Sequence, residues 1–207
     1  MTSAFARKYG PWALVAGASE GIGRAFSLHL ARRGLNLLLL ARRDGPLQTA
    51  AAEITALHRV RVECHALDLG GPDVTGRLEA IVADREVGML VYNAAASHVG
   101  DFLSTNLQAH LQEVDVNCRG PLTLTHALAA PMAARGRGGI VLLSSITGNQ
   151  GSALVSSYAA TKAFNTVLAE GLWEEFGHLG VDVLGCIAGM TRTPNFEASR
   201  PREGSLP

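Results

Sequence analysis

Short, uninterrupted apolar runs separated by helix-favouring segments constrain this chain more than any other feature. Trp12 to Ala16, Leu35 to Leu40, Val60 to Ala66, Met89 to Tyr92, Ile140 to Leu143 and Val181 to Ile187 each read as a strand. Strands that are apolar at almost every position belong to a sheet covered on both faces. Between them, helical character runs from a glycine turn to about Arg33, over Leu47 to Leu57 and over Val74 to Asp84. It returns, interrupted, from Leu107 to Ala134, and again from Tyr158 to Phe176. Strands joined through helices need crossover connections, which make the order parallel. The expectation is one α/β domain over residues 1–194, built on a single doubly wound parallel sheet. Residues 195–207 hold two prolines and little apolar periodicity, so they read as an irregular tail.

The 207 residues suffice for one well-buried core. A formal net charge of zero gives no bulk attraction to nucleic acid or to an anionic membrane surface. Cys64, Cys118 and Cys186 lack ligand spacing, and the seven histidines are scattered singly, so no metal site is expected. The cysteines read as reduced thiols of a cytoplasmic protein. The first residues have no apolar stretch suited to a signal peptide, and Leu35 to Ala41 is too short to span a bilayer.

Chemistry first shows in Ala16-Gly17-Ala18-Ser19-Glu20-Gly21-Ile22-Gly23, between the first strand and the first long helix. Gly17 permits a tight turn, Gly21 lets backbone amides approach a pyrophosphate, and Gly23 lets helix and strand pack closely. The helix N-terminus adds partial positive charge suited to phosphate. The second strand ends in Ala41-Arg42-Arg43, where an acidic residue would hydrogen-bond a ribose hydroxyl. Two guanidinium groups there suit a 2′-phosphate, which favours NADP(H) and leaves NAD(H) open.

Tyr158 and Lys162 stand four residues apart in a helical segment, one turn apart on the same face. A neighbouring ammonium stabilises a phenolate, which is expected to lower the tyrosine pKa and suit it to proton transfer. Ser144 and Ser145, after the fifth strand, could serve the same site or simply end the strand.

Taken in order, these residues resemble the short-chain dehydrogenase/reductase family, from Gly17 to Thr193. The glycine motif matches with alanine at position 16, and Asp68 before Leu69 matches the acidic residue that contacts adenine. Asn93-Ala94 matches part of the family's Asn-Asn-Ala-Gly segment, with Tyr92 and Ala95 departing from it. Asn117, Ser145, Tyr158 and Lys162 match the catalytic set, and the spacing to Tyr158 selects Ser145. Ala188-Gly189-Met190-Thr191-Arg192-Thr193 matches the motif after the sixth strand.

The resemblance implies a Rossmann fold of six strands, without the family's usual C-terminal strand and with part of its substrate lid missing. It implies a dinucleotide held by Gly17, Ser19, Glu20, Gly21, Ile22, Gly23, Arg42, Arg43, Asp68, Leu69, Asn93 and Ala94, together with Tyr158, Lys162, Gly189, Thr191 and Thr193. Tyr158 would exchange the proton, Lys162 lower its pKa and bind ribose, and Ser145 hold the carbonyl oxygen. Asn117 would position a water, and Thr193 would bind the carboxamide. The implied activity is interconversion of a carbonyl and an alcohol by hydride transfer, on a small molecule of modest, apolar character. The competing expectation is a catalytically weak cofactor-binding or assembly protein of the same fold. A homodimer through the two long helical stretches is also implied.

Overall fold

A computed structural model describes residues 3–194 and Glu197. The expected irregular tail therefore lies outside the described residues, save Glu197. The six expected strands are present as β1 (Trp12–Ala16), β2 (Asn36–Ala41), β3 (Val62–Ala66), β4 (Val87–Tyr92), β5 (Gly138–Ser145) and β6 (Val181–Ala188). They form one sheet in the order β3-β2-β1-β4-β5-β6, and every neighbouring pair is parallel. The chain winds outward from β1 to one side, then crosses back to β4 on the other. That reversal leaves a crevice beyond the carboxyl ends of β1 and β4, where α/β sheets bind ligands.

The helices are α1 (Ala4–Tyr9), α2 (Gly21–Arg32), α3 (Asp44–Leu57), α4 (Val74–Val82), α5 (Leu107–Val114), α6 (Gly120–Ala134) and α7 (Ser156–Gly177). Alternate residues of each central strand enter opposite cores. Leu14, Leu38, Leu90 and Leu142 pack with Leu78 of α4, Leu124 and Leu128 of α6, and Ala169 of α7. Val15, Leu39, Val91 and Val141 pack with Leu30 of α2 and Leu47 and Ile54 of α3. Burial on both faces is why these strands carry no polar alternation. Among the described residues β6 pairs with β5 alone, and its outward Leu184 and Ile187 are exposed.

The interruption anticipated between Leu107 and Ala134 is a π-helical turn, Asp115–Arg119, joining α5 to α6. Such turns insert a residue and redirect side chains, often at functional sites. Tyr92, at the end of β4, secures it: its buried hydroxyl donates to the Val116 carbonyl at 2.6 Å. Gly120 leaves room for that phenol, since a Cβ there would lie 2.0 Å from the Tyr92 oxygen. Tyr92, read from sequence only as a departure from the family pattern, is thus the support of the segment that carries Asn117. Two short elements escaped the sequence reading, α1 and a 3-10 turn over Ile146–Asn149.

Tyr92→Phe leaves the Val116 carbonyl without its donor. It should lower unfolding free energy by about 1–2 kcal/mol, read by urea denaturation.

Candidate active site

The turn after β1 is built by backbone demands. Gly17 has φ of +80°, and a Cβ there would meet the Ala94 backbone at 2.7 Å. At Gly23 a Cβ would stand 2.0 Å from the Gly17 carbonyl oxygen. Asn93 closes the arrangement by donating its side-chain amide to that same carbonyl at 2.9 Å. No side chain caps α2, so its leading N–H groups remain for an anion in the crevice. Thr193 lies over this turn, its methyl 2.7 Å from where a Gly21 Cβ would be.

The turn opens on a cavity of about 790 Å³. Gly17, Ser19, Glu20, Gly21, Ile22, Arg42, Arg43, Asp68 and Leu69 line one part of it. Asn93, Ala94, Ser145, Tyr158, Lys162, Gly189, Thr191 and Thr193 line the rest. Of the residues singled out from sequence, only Gly23 and Asn117 stand behind the wall rather than on it. At the adenosine rim, Glu20 and Arg43 form an ion pair, and Arg42 has no ion-pair partner among the described residues. Asp68 spends one carboxylate oxygen on the Gly70 amide, at 3.0 Å.

Asn117 works through its neighbours. Its side-chain oxygen accepts from the Ala96 N–H and its amide donates to the Ala96 carbonyl, both at 2.8 Å. The second amide hydrogen reaches Thr161 on α7 at 3.0 Å. The Asn117 carbonyl accepts from Asn165, also on α7, at 2.9 Å. These bonds tie the segment after β4 to the helix that carries Tyr158 and Lys162. The side chain is therefore committed to protein groups.

The two serines separate cleanly. Ser144 is buried, donating to the Lys162 carbonyl at 2.7 Å and accepting from Thr166 at 2.8 Å. Ser145 caps the 3-10 turn at Thr147, accepting from its N–H and donating to its hydroxyl, both at 3.2 Å, and shares the cavity wall with Tyr158. Lys162 is buried, and its ammonium donates to the Leu143 carbonyl at 2.9 Å. Burial disfavours its charge and lowers its pKa from 10.5 to about 8, against a smaller upward pull from Cys118.

Tyr158 corrects the expectation of a depressed phenol. Its pKa is raised, chiefly by burial; the Ser145 hydrogen bond opposes this and the Glu113 charge adds to it. The Lys162 ammonium lies 5.7 Å from the centroid of the phenol ring, and it is not among the causes of the shift.

Sequence reasoning also missed a buried polar group beside the site. Glu113, on α5, is fully buried and accepts from the His98 amide at 2.7 Å and from the Ser157 hydroxyl. Ser157 also meets His110 Nδ1 at 2.8 Å. The available signal was register: Glu113 lies four residues before Asn117, so both face α7.

With this geometry in place, the comparisons decide the family. The family model described as short chain dehydrogenase matches residues 11–204. The chain belongs to the short-chain dehydrogenase/reductase family. A 7beta-hydroxysteroid dehydrogenase of Clostridium sardiniense is 31% identical, with 96% of this chain and 76% of that protein aligned. A very-long-chain 3-oxoacyl-CoA reductase of Laccaria bicolor is 35% identical over 83% of this chain. This chain spans 52% of that reductase, about half its length. Among solved structures, a short-chain dehydrogenase from Sphingobium yanoikuyae in complex with NADPH superimposes with a TM-score of 0.84 at 31% identity. That match covers 89% of this chain and 73% of the other. The family binds nicotinamide cofactors, and its members among these relatives act on hydroxyl and keto groups.

The buried lysine sets a pH signature. Below pH 8 Lys162 is charged in folded and unfolded chains alike, and its burial cost is fully present. Between about 8 and 10.5 the folded lysine is neutral while the unfolded one still binds a proton, so stability rises with pH. Wild type should therefore gain on the order of 3 kcal/mol relative to Lys162→Met across that window, measured by denaturation at stepped pH.

Proposed function

We propose that the chain is an NADP(H)-dependent oxidoreductase that interconverts a carbonyl and an alcohol, with Tyr158 as general acid and base. The observation that carries this reading is that Tyr158, Ser145 and Lys162 line the same cavity as the glycine turn. The residues fit a dinucleotide: the uncapped start of α2 suits a pyrophosphate, and the backbone around Gly17 and Gly21 excludes side chains that would block one. When bound, the nicotinamide cofactor supplies the hydride chemistry.

Tyr158, kept protonated by burial, hands its proton to the substrate oxygen in reduction and takes it back in oxidation. Ser145 orients that oxygen beside the phenol. Lys162 supplies a hydrogen-bond donor at the cofactor ribose and positive charge near the phenolate as it forms. Asp68 and Leu69 border the adenine, while Asn93 and Ala94 form the wall facing it. Gly189, Thr191 and Thr193 close the nicotinamide end, where Thr193 serves as the carboxamide partner. Asn117 acts by holding Ala96 and Thr161 in place. The substrate is a mainly apolar ketone or alcohol, a character the hydroxysteroid and very-long-chain 3-oxoacyl relatives support.

NADP(H) is favoured over NAD(H) because Arg42 stands exposed at the end of β2 and Ala41 replaces an acidic residue. The fold extends as one domain over the described residues 3–194. A homodimer forms through α5–α6 and α7, which expose Leu107, Leu111, Leu122, Val167 and Trp173. No helix among the described residues is long and apolar enough to cross a membrane. The free thiols of Cys64, Cys118 and Cys186 suit the cytoplasm.

Tyr158→Phe should retain NADPH binding but lose turnover by about 10²–10⁴-fold. Equal turnover by the variant, followed through absorbance of the reduced nicotinamide, would favour the weakly catalytic cofactor-binding alternative. Arg42→Ala should lower NADPH affinity about tenfold more than NADH affinity in fluorescence titrations.

A further inference from the structure

On the substrate side of the cavity, His98 is the one described histidine in the wall. It leaves β4 on the irregular segment that follows Ala96, yet its placement is firmly set. Its backbone N–H donates to Glu113 Oε1 at 2.7 Å, and its ring Nδ1 lies 3.4 Å from the same oxygen. The carboxylate behind it is fully buried and is shared with the Ser157 hydroxyl, immediately before Tyr158 in the chain. Nδ1 is sealed from solvent, while the side chain as a whole keeps 38% of its surface exposed. The accessible edge of the ring is therefore the one that carries Nε2.

The buried carboxylate 3.4 Å from Nδ1 makes no hydrogen bond to it but polarises the ring through space, and Nε2 is the nitrogen left to meet a ligand. Such a backed ring on a cavity wall is costly to leave unused, because a buried carboxylate must be compensated by fixed hydrogen bonds. Tyr158 and Ser145 already account for one substrate oxygen. The geometry points to His98 as a specificity-determining residue whose Nε2 meets a second oxygen of the substrate. On this inference, which rests on the oxidoreductase reading above, the chain takes ketones or alcohols that carry a further hydroxyl or carbonyl group.

Charge argues for a neutral oxygen rather than a phosphate. The described basic side chains on the cavity wall are Arg42, Arg43 and Lys162, at the cofactor rim and the catalytic centre. Around His98 the polar wall residues are Ser97, Gln112 and Thr147, all uncharged.

The test compares kcat and KM for cyclohexanone and for its derivatives bearing one added hydroxyl or carbonyl at successive ring positions. NADPH affinity is measured alongside. Wild type should prefer at least one added-oxygen derivative by about tenfold in kcat/KM, the scale of one directed hydrogen bond. His98→Ala should lose about tenfold more on that derivative than on cyclohexanone, and His98→Gln should recover part of the preference. Glu113→Gln, which keeps an acceptor for the His98 amide, should weaken the preference as well and carries the test if His98→Ala does not fold. A wild type indifferent to the added oxygen, or variants that slow both substrates alike, overturns the inference while leaving the oxidoreductase reading intact. Wild type that binds NADPH and turns over none of the series overturns both.

Discussion

The clamp between Asn117 and Ala96 is the interaction on which the site depends. One side-chain amide spans both polar groups of a peptide unit and also reaches α7 through Thr161. Without it, the segment leaving β4 would keep the His98 bond to Glu113 but lose its tie at Ala96 and, through Thr161, to α7. With it, the wall beside the glycine turn and the helix bearing Tyr158 move as one body. The π-helical turn makes this possible by directing Asn117 into the interior, and the Tyr92 hydroxyl holds the turn open at Val116. Asn117 and Tyr92 thus cooperate in one support.

Lys162 illustrates how burial and catalysis are joined. The sheet and α7 enclose its ammonium and offer it the Leu143 carbonyl, so the charge is satisfied by geometry but poorly solvated. Burial acts on both members of the Tyr-Lys pair in the same sense, towards the uncharged form: the lysine is easier to deprotonate and the phenol harder. Ser145, whose hydroxyl is engaged with Thr147, shares the cavity wall with the phenol.

Much of this was legible in the amino-acid sequence because it is local. Strand runs such as Leu37 to Leu40 are apolar throughout since both faces are covered, and that signal survives without tertiary knowledge. Gly17 and Gly23 are readable for a similar reason: each answers a backbone contact within its own βα unit or the adjacent strand. Tyr158 and Lys162 announce themselves by spacing. What spacing could not convey is direction. It brought the two side chains to one helix face, but the ammonium turns to a carbonyl on β5 and the phenol is governed by burial. His98 is legible as a polar residue of the expected pocket wall, but its pairing with Glu113 is not, because they lie 15 residues apart and meet only when α5 folds back under the segment after β4. Asn165 carries no spacing signal of its own, and it is buried against the Asn117 carbonyl, 48 residues away in the chain.

The ion pair of Glu20 with Arg43 alters how the adenosine rim looks to an arriving anion. A count of guanidinium groups suggests a doubly positive mouth, yet one of the two is already neutralised by a partner on the glycine turn itself. Arg42 is then the guanidinium of that edge left without an ion-pair partner among the described residues. Raising the ionic strength should consequently shield a monovalent rather than a divalent attraction at that edge.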